Sequence, residues 1–217
     1  MNKLLLSLAS LVVASVTSFS AYAQDAAAGE KKIAMCIGCH GIQGYQASFP
    51  EIHKVPMISG QNAKYIVASL NAYKKGERRH PSMRGIADNL TDTDMADIGA
   101  YYEAHGKLAG AAELRKAAEA PANVAELLKK GNCASCHGES LSKPIDPAYP
   151  KIAGQHADYL YVALKSYKAD NNAQVGRANG VMGAIAKQFS NKELKLLADY
   201  VHSVPGELKT VPQSRFR

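Results

Sequence analysis

The sequence predicts an all-α protein built from two tandem copies of one small helical unit. The segment MCIGCHG at 35–41 returns as NCASCHG at 132–138. Apolar residues in both halves follow helical periodicity, and no segment shows the strict alternation of a half-buried strand. A chain of 217 residues is long enough for two such units.

The repeat extends beyond these two motifs. The segment PMISGQ at 56–61 matches PKIAGQ at 150–155, and Met83 and Tyr101 match Met182 and Tyr200. The spacing between copies changes only in stretches rich in glycine, proline and charge, where loops tolerate insertions. Two copies in the same order indicate a duplicated domain rather than a solenoid.

Each unit is predicted to contain three main helices. In the first unit these cover 26–37, 61–75 and a segment that starts after Thr91, where Asp94 completes a capping box. In the second unit they cover 123–131, 155–169 and 190–203. The segment 109–122, rich in alanine and charge, joins the two units.

The first 23 residues are interpreted as a signal peptide. Lys3 supplies a positive charge, 4–16 form a short apolar run, and Ala21 and Ala23 complete an A-x-A cleavage site. We therefore expect cleavage after Ala23 and a periplasmic protein with domains at 24–115 and 116–217.

The chain carries a mild positive charge. It has 26 basic and 19 acidic residues, a formal net charge of +7. Such an excess can steer an acidic protein partner or attract a membrane surface. Without a run of Lys or Arg, we expect no nucleic-acid partner.

All four cysteines lie in Cys-x-x-Cys-His motifs, which are the attachment signal for c-type haem. Two thiols at this spacing can form thioethers with the two vinyl groups of one porphyrin, and the following histidine can offer a nitrogen to iron. The sequence thus predicts two covalently bound haem c groups. The residues that hold them are Cys36, Cys39 and His40 in the first unit and Cys133, Cys136 and His137 in the second.

Other interpretations of the motifs explain less. Two disulfides would leave both histidines without a role. A zinc ribbon normally has its two knuckles about 15–20 residues apart, and a thioredoxin-like pair needs a βαβ context.

The sixth iron ligand is predicted to be Met83 in the first unit and Met182 in the second. They are the only methionines that align between the repeats, whereas Met35, Met57 and Met95 are expected to fill the core. A thioether ligand raises the haem reduction potential. Among the remaining histidines only His80, close to Met83, stays an alternative ligand.

The residues around each iron can also be assigned. The carbonyls of Pro56 and Pro150 are candidate acceptors for the second ring nitrogen of His40 and His137, because a metal-bound histidine normally donates its other N–H. Four arginines are candidate partners of the haem propionates: Arg78, Arg79, Arg84 and Arg177.

Taken together, these motifs resemble those of the dihaem cytochromes c4, over the whole chain after the signal peptide. The resemblance rests on CIGCHG, PMISGQ and SMRGIADNLTDTDMADIGAYY, and on their counterparts CASCHG, PKIAGQ and VMGAIAKQFSNKELKLLADYV. It implies two class I cytochrome c domains, each a few helices wrapped around one haem, with His/Met ligation and facing haems. It also implies a crossing of first and last helices through Gly29 and Tyr101, whereas the second unit has Glu126 at the glycine position.

The resemblance implies an outer-sphere electron carrier with no catalytic residues. A quinol-oxidising complex or another donor would reduce it, a terminal oxidase would accept its electrons, and the family allows peripheral membrane association. An alternative is the cytochrome subunit of a flavocytochrome c such as sulfide dehydrogenase. A dihaem peroxidase would need an iron without methionine and a longer chain.

Overall fold

The computed structural model describes residues 24–108 and 118–212. The predicted signal peptide, the predicted domain boundary at 115/116 and most of the predicted linker lie outside these ranges. Within them, no helix has the length and apolar character needed to cross a bilayer.

Two groups of helices follow each other along the chain. The first contains α1 (Ala26–Glu30), α2 (Ala34–His40), β1 (Gln46–Ala47), β2 (His53–Lys54), α3 (Ala63–Lys74), β3 (Arg78–Arg79), α4 (Pro81–Ala87) and α5 (Asp92–Leu108). The second contains α6 (Ala122–Lys130), α7 (Ala134–His137), α8 (Ala157–Ser166), β4 (Gly176–Arg177), α9 (Gly180–Ala186) and α10 (Asn191–Ser203). The all-α prediction is confirmed.

The last helix of each domain begins with a capping box. Asp94 N donates to Thr91 Oγ1 at 3.1 Å, and Thr91 N donates back to the Asp94 carboxylate at 3.0 Å. Ser190 and Glu193 make the same reciprocal pair in the second domain. Each box satisfies two backbone donors that a helix start would leave unpaired, which fixes where α5 and α10 begin.

In the first domain α5 packs against α1 and α3. Met95 and Ile98 of α5 are almost fully buried and join Ile66 and Leu70 of α3 in one core cluster. At the crossing of α1 and α5, a Cβ on Gly29 would lie 2.1 Å from Asp97 O and 2.8 Å from Tyr101 Cβ. The expected crossing through a glycine and an aromatic residue is present.

The second domain makes the equivalent crossing with larger side chains. Val124 of α6 is buried in one cluster with Leu194 and Leu197 of α10, and Leu127 packs against that cluster. Glu126 points to solvent. The two helices are therefore separated by a layer of aliphatic side chains, so this crossing needs no glycine.

Three local features differ from the sequence-based expectation. The helix predicted over 26–37 is broken between Glu30 and Ala34, where Lys32 is held by ion pairs with Asp94 and Asp97. Helices α4 and α9 were not predicted, because each has only seven residues. The strands were missed because two residues are too few to show an alternation.

One pair of strands connects the two domains. β3 and β4 are antiparallel, with Arg78 opposite Arg177 and Arg79 opposite Gly176. Next to them, Ala178 N donates to Glu77 O at 2.7 Å. This pairing brings matching positions of the repeat face to face and fixes the register in which the domains dock.

Because the Gly29 contact leaves no room for a Cβ, Gly29→Ala should destabilise the protein. We expect a loss of about 1–3 kcal/mol in the free energy of unfolding, from overpacking against α5. Denaturant-induced unfolding of the parent protein and of Gly29→Ala measures this difference in free energy.

Gly85→Ala is the matched control, because no other part of the described chain lies within 4 Å of a Cβ at Gly85 in α4. That variant should be neutral or more stable by up to about 1 kcal/mol, from helix propensity. Equal stability of the two variants would contradict the close crossing.

Candidate haem sites

The two motif histidines make the same hydrogen bond. His40 Nδ1 donates to Pro56 O at 2.9 Å, and His137 Nδ1 donates to Pro150 O at 2.9 Å. Each prolyl carbonyl belongs to the loop that precedes the second main helix of its domain. The bond fixes the ring orientation and leaves Nε2 as the nitrogen available to a metal.

Both imidazoles lie in surroundings that favour the neutral ring. Burial lowers the pKa of His40 and of His137, and the prolyl carbonyls oppose that shift only in part. A neutral ring keeps a lone pair on Nε2, which coordination to iron requires. Among the described residues, neither Nε2 atom has a hydrogen-bond partner in the protein.

The four cysteines form no disulfide with one another and lie half-buried beside the histidines. Cys36, Cys39 and His40 all lie within α2, so positions three and four apart share one face. Burial raises the pKa of Cys36 to about 11 and also raises that of Cys133. Burial therefore disfavours the thiolate form of both of these cysteines.

No group of three or more His, Cys, Asp or Glu side chains in the described part of the chain is arranged to hold a metal ion. The two Cys pairs therefore do not converge on a single tetrahedral centre. Each pair stays with its own histidine, as attachment of two separate porphyrins requires.

Met83 and Met182 occupy equivalent places. Each is the third residue of a seven-residue helix, α4 or α9, that precedes the last main helix of its domain. Met83 packs against the same core cluster as Cys36. Met182 N donates to the Asn179 side chain at 2.9 Å, which caps α9.

His80, the alternative ligand, immediately precedes α4. Its Nε2 donates to Phe49 O at 3.3 Å, and its ring packs edge-on against Phe49 with centroids 5.8 Å apart. Burial lowers the pKa of His80. Its Nδ1 is buried and has no hydrogen-bond partner among the described residues, so His80 remains a rival to Met83 in the first domain.

Two arginines meet where the domains join, and they make matching contacts. Arg78 donates to Tyr65 OH at 3.3 Å and lies over the rings of Tyr65 and Tyr73. Arg177 donates to Tyr159 OH at 3.1 Å and lies over the rings of Tyr159 and Tyr167. The sequence analysis did not predict this cluster, although the two tyrosine pairs each lie 94 residues apart and the arginines 99, which are spacings of the repeat.

This cluster has positive charge without a negative partner. No carboxylate in the described residues pairs with Arg78 or Arg177, and Arg78 Nε is a buried donor with no acceptor. Burial by itself would raise the pKa of Tyr65, but the charges of Arg78 and Arg177 lower it to about 8. Unpaired buried charge is costly, so the site favours an anion; the propionates of a haem are anions of the required kind.

The other two candidate arginines are engaged elsewhere. Arg79 donates across the interface to Val175 O at 3.3 Å and Ala169 O at 3.2 Å. Arg84 is largely exposed and pairs with Asp88, the residue that follows α4. Of the four arginines, only Arg78 and Arg177 lie among tyrosine rings and have a tyrosine hydroxyl, rather than a carboxylate or a carbonyl, as their acceptor.

Comparison with known proteins agrees with this geometry. The family model described as "Cytochrome c" matches residues 26–104 and again 121–205. Cytochrome c4 of Pseudomonas aeruginosa is 31% identical over 209 residues, covering 94% of this chain and 100% of the relative. The chain belongs to the cytochrome c4 family.

Two further comparisons extend this result. The crystal structure of reduced recombinant cytochrome c4 from Pseudomonas stutzeri superposes with a TM-score of 0.61 at 26% identity, covering 84% of this chain and 100% of that one. A thiosulfate dehydrogenase electron acceptor of Stutzerimonas stutzeri is 30% identical over 180 residues, covering 78% of each chain.

Membership of the cytochrome c4 family establishes the cofactor and the class of function. The protein has two cytochrome c domains and two covalently bound haem c groups, which supply one-electron chemistry of iron. It is an electron carrier rather than an enzyme. The predicted fold class and cofactor are confirmed.

If each Cys pair serves its own haem, replacing one pair should remove one haem. Cys36→Ser with Cys39→Ser is expected to leave a single haem per chain, measured as intact mass under denaturing conditions. Cys133→Ser with Cys136→Ser is the matched variant and should also leave one. Two haems in either variant would disprove the assignment.

Proposed function

We propose that the protein is a periplasmic dihaem carrier in which both irons are coordinated by one histidine and one methionine. His40 and Met83 serve the first haem, and His137 and Met182 serve the second. We also propose cleavage after Ala23 and domains at 24–115 and 116–217.

The observation that carries the ligand proposal is the duplicated placement of the two methionines. Met83 and Met182 are each the third residue of a short helix that links the interface strand to the last main helix. A core methionine has no reason to keep that place in both copies, since many apolar residues would fill the space. A methionine ligand would also favour a relatively high potential.

With both axial positions filled by protein, neither iron would offer a position to a substrate. The iron would then change its charge while its ligands stay in place. Electrons would pass between the haems through the interface, where Arg78 and Arg177 could hold the propionates of facing porphyrins.

The proposed partners are a quinol-oxidising complex or another donor on one side and a terminal oxidase on the other. The net charge of +7 falls to +6 when Lys3 leaves with the proposed signal peptide, and this excess supports brief, electrostatically steered docking to acidic surfaces. It is also compatible with peripheral association with a membrane.

A second candidate donor is a thiosulfate dehydrogenase. It is favoured by the similarity to the thiosulfate dehydrogenase electron acceptor of Stutzerimonas stutzeri. In that case the electrons would come from oxidation of a sulfur compound rather than of a quinol. The haem chemistry would be the same, and only the docking partner would differ.

Methionine ligation can be tested haem by haem. Met83→Ala and Met182→Ala should each remove the sulfur-to-iron charge-transfer band of one ferric haem. Each should lower the potential of that haem by on the order of 0.1 V, a part of the ~0.8 V range that axial ligands span. Optical redox titration measures both effects.

His80→Gln is the control, because it removes the rival nitrogen and keeps Met83. It should leave the band and both potentials close to those of the parent protein. If Met83→Ala leaves the spectrum unchanged while His80→Gln alters it, His80 is the ligand of the first haem.

Electrostatic docking predicts that salt slows electron transfer to the partner. Raising ionic strength from about 0.01 M to 1 M shortens the screening length from about 30 Å to 3 Å. We expect stopped-flow electron exchange with a membrane quinol-oxidising complex, a terminal oxidase or a thiosulfate dehydrogenase to slow by about tenfold or more. Saturable reduction by only one of the two donors identifies it, and rates independent of salt with every partner would contradict steered docking.

A further inference from the structure

The side chains of Gln61 and Gln155 cross between the domains, and each binds the backbone of the other one. Gln61 Nε2 donates to Lys151 O at 2.9 Å, and Gln61 Oε1 accepts from Lys151 N at 2.9 Å. Gln155 Nε2 donates to Met57 O at 2.9 Å, and Gln155 Oε1 accepts from Met57 N at 3.0 Å. Both glutamines are 4% exposed, so water hardly competes for these bonds.

The amide that Gln61 accepts from belongs to the peptide group that also holds a haem-motif histidine. Lys151 N and Pro150 O are the two ends of one peptide unit, and Pro150 O accepts from His137 Nδ1 at 2.9 Å. In the other domain the peptide between Pro56 and Met57 accepts from His40 and donates to Gln155.

A hydrogen bond at one end of a peptide group strengthens the other end. When the N–H donates, the carbonyl oxygen gains negative character and becomes a better acceptor. A stronger acceptor pulls the Nδ1 proton further away from the imidazole ring. The ring then gains electron density, and Nε2 becomes a stronger electron-pair donor to the metal. The effect is additional to the orientation that the bond itself imposes on the ring.

We infer that Gln61 and Gln155 are positioning residues for the axial histidine of the opposite domain, Gln61 for His137 and Gln155 for His40. The inference rests on the proposed ligation of iron by these histidines. Through these crossed hydrogen bonds, the strength with which each histidine donates to its iron depends on the docking of the other domain. The haems are thereby coupled through the protein as well as through space.

The crossed pattern separates this role from simple adhesion between the domains. Adhesion is also supplied by the ion pair of Lys165 with Glu51, which contacts neither prolyl peptide. Loss of adhesion would affect both haems alike. Loss of positioning would affect only the haem whose histidine depends on the altered glutamine.

The test uses the full-length ferric dihaem protein and the variants Gln61→Met and Gln155→Met. Proton NMR in D₂O follows exchange of the hyperfine-shifted Nδ1 protons, each assigned through its own haem. Gln61→Met should speed exchange at His137 by a factor of about 1.2–1.7, because the lost strengthening is about 10–30% of one ordinary net hydrogen bond, and it should leave His40 unchanged. Gln155→Met should do the reverse, and in each case the potential of the affected haem should rise.

Two further variants serve as controls. Lys165→Met weakens adhesion and should change neither exchange rate. Gln61→Glu keeps an acceptor for Lys151 N and should hold exchange at His137 near the parent rate, so it also carries the test if Gln61→Met does not fold.

Either of two results would overturn the inference: equal effects on both histidines in the methionine variants, or an exchange rate at His137 in Gln61→Glu as fast as that expected for Gln61→Met. The parent spectrum tests the underlying proposal separately. Two hyperfine-shifted ring protons in the parent would establish histidine ligation even if every variant left them unchanged.

Discussion

The hydrogen bond from each motif histidine to a prolyl carbonyl connects the local motif to the rest of the structure. The Cys-x-x-Cys-His segment can place a ring near a porphyrin, but it does not fix the rotation of that ring. The bonds from His40 to Pro56 and from His137 to Pro150 fix it. Both prolines lie in loops that form the domain interface. The orientation of each histidine ring therefore depends on how the two domains dock.

The second constraint is the positive charge that docking concentrates between the domains. The pairing of β3 with β4 places Arg78 opposite Arg177, and tyrosine rings and hydroxyls surround both guanidinium groups without neutralising them. Two like charges in such a place oppose docking of the polypeptide by itself. Haem attachment would supply the missing negative charge, which couples cofactor loading to assembly of the interface.

Much of this arrangement could be predicted from sequence, because duplication turns a weak local signal into a strong one. A single methionine says little, but Met83 and Met182 at matched positions mark a shared role. Short elements were not predictable. The two-residue strands and the seven-residue helices α4 and α9 are too short for periodicity, and β3 and β4 pair only across the docked domains. The break in the first helix lies where Lys32 forms ion pairs with residues of α5, a contact far away in sequence that local periodicity does not show.

The departures from symmetry make the two haem environments unequal although their proposed ligands are the same. Where the first domain has Met57, the second has Lys151, whose ammonium group donates to Gly60 O and pairs with Glu207. Immediately before the helix that carries Met83 or Met182, the first domain has His80 and the second has Asn179. The Asn179 side chain caps α9 by a hydrogen bond, whereas His80 makes no such bond to α4. Charge and hydrogen bonding close to a haem tune its potential. Two haems with identical ligands in these surroundings should therefore differ in potential, which gives electron flow between the domains a preferred direction.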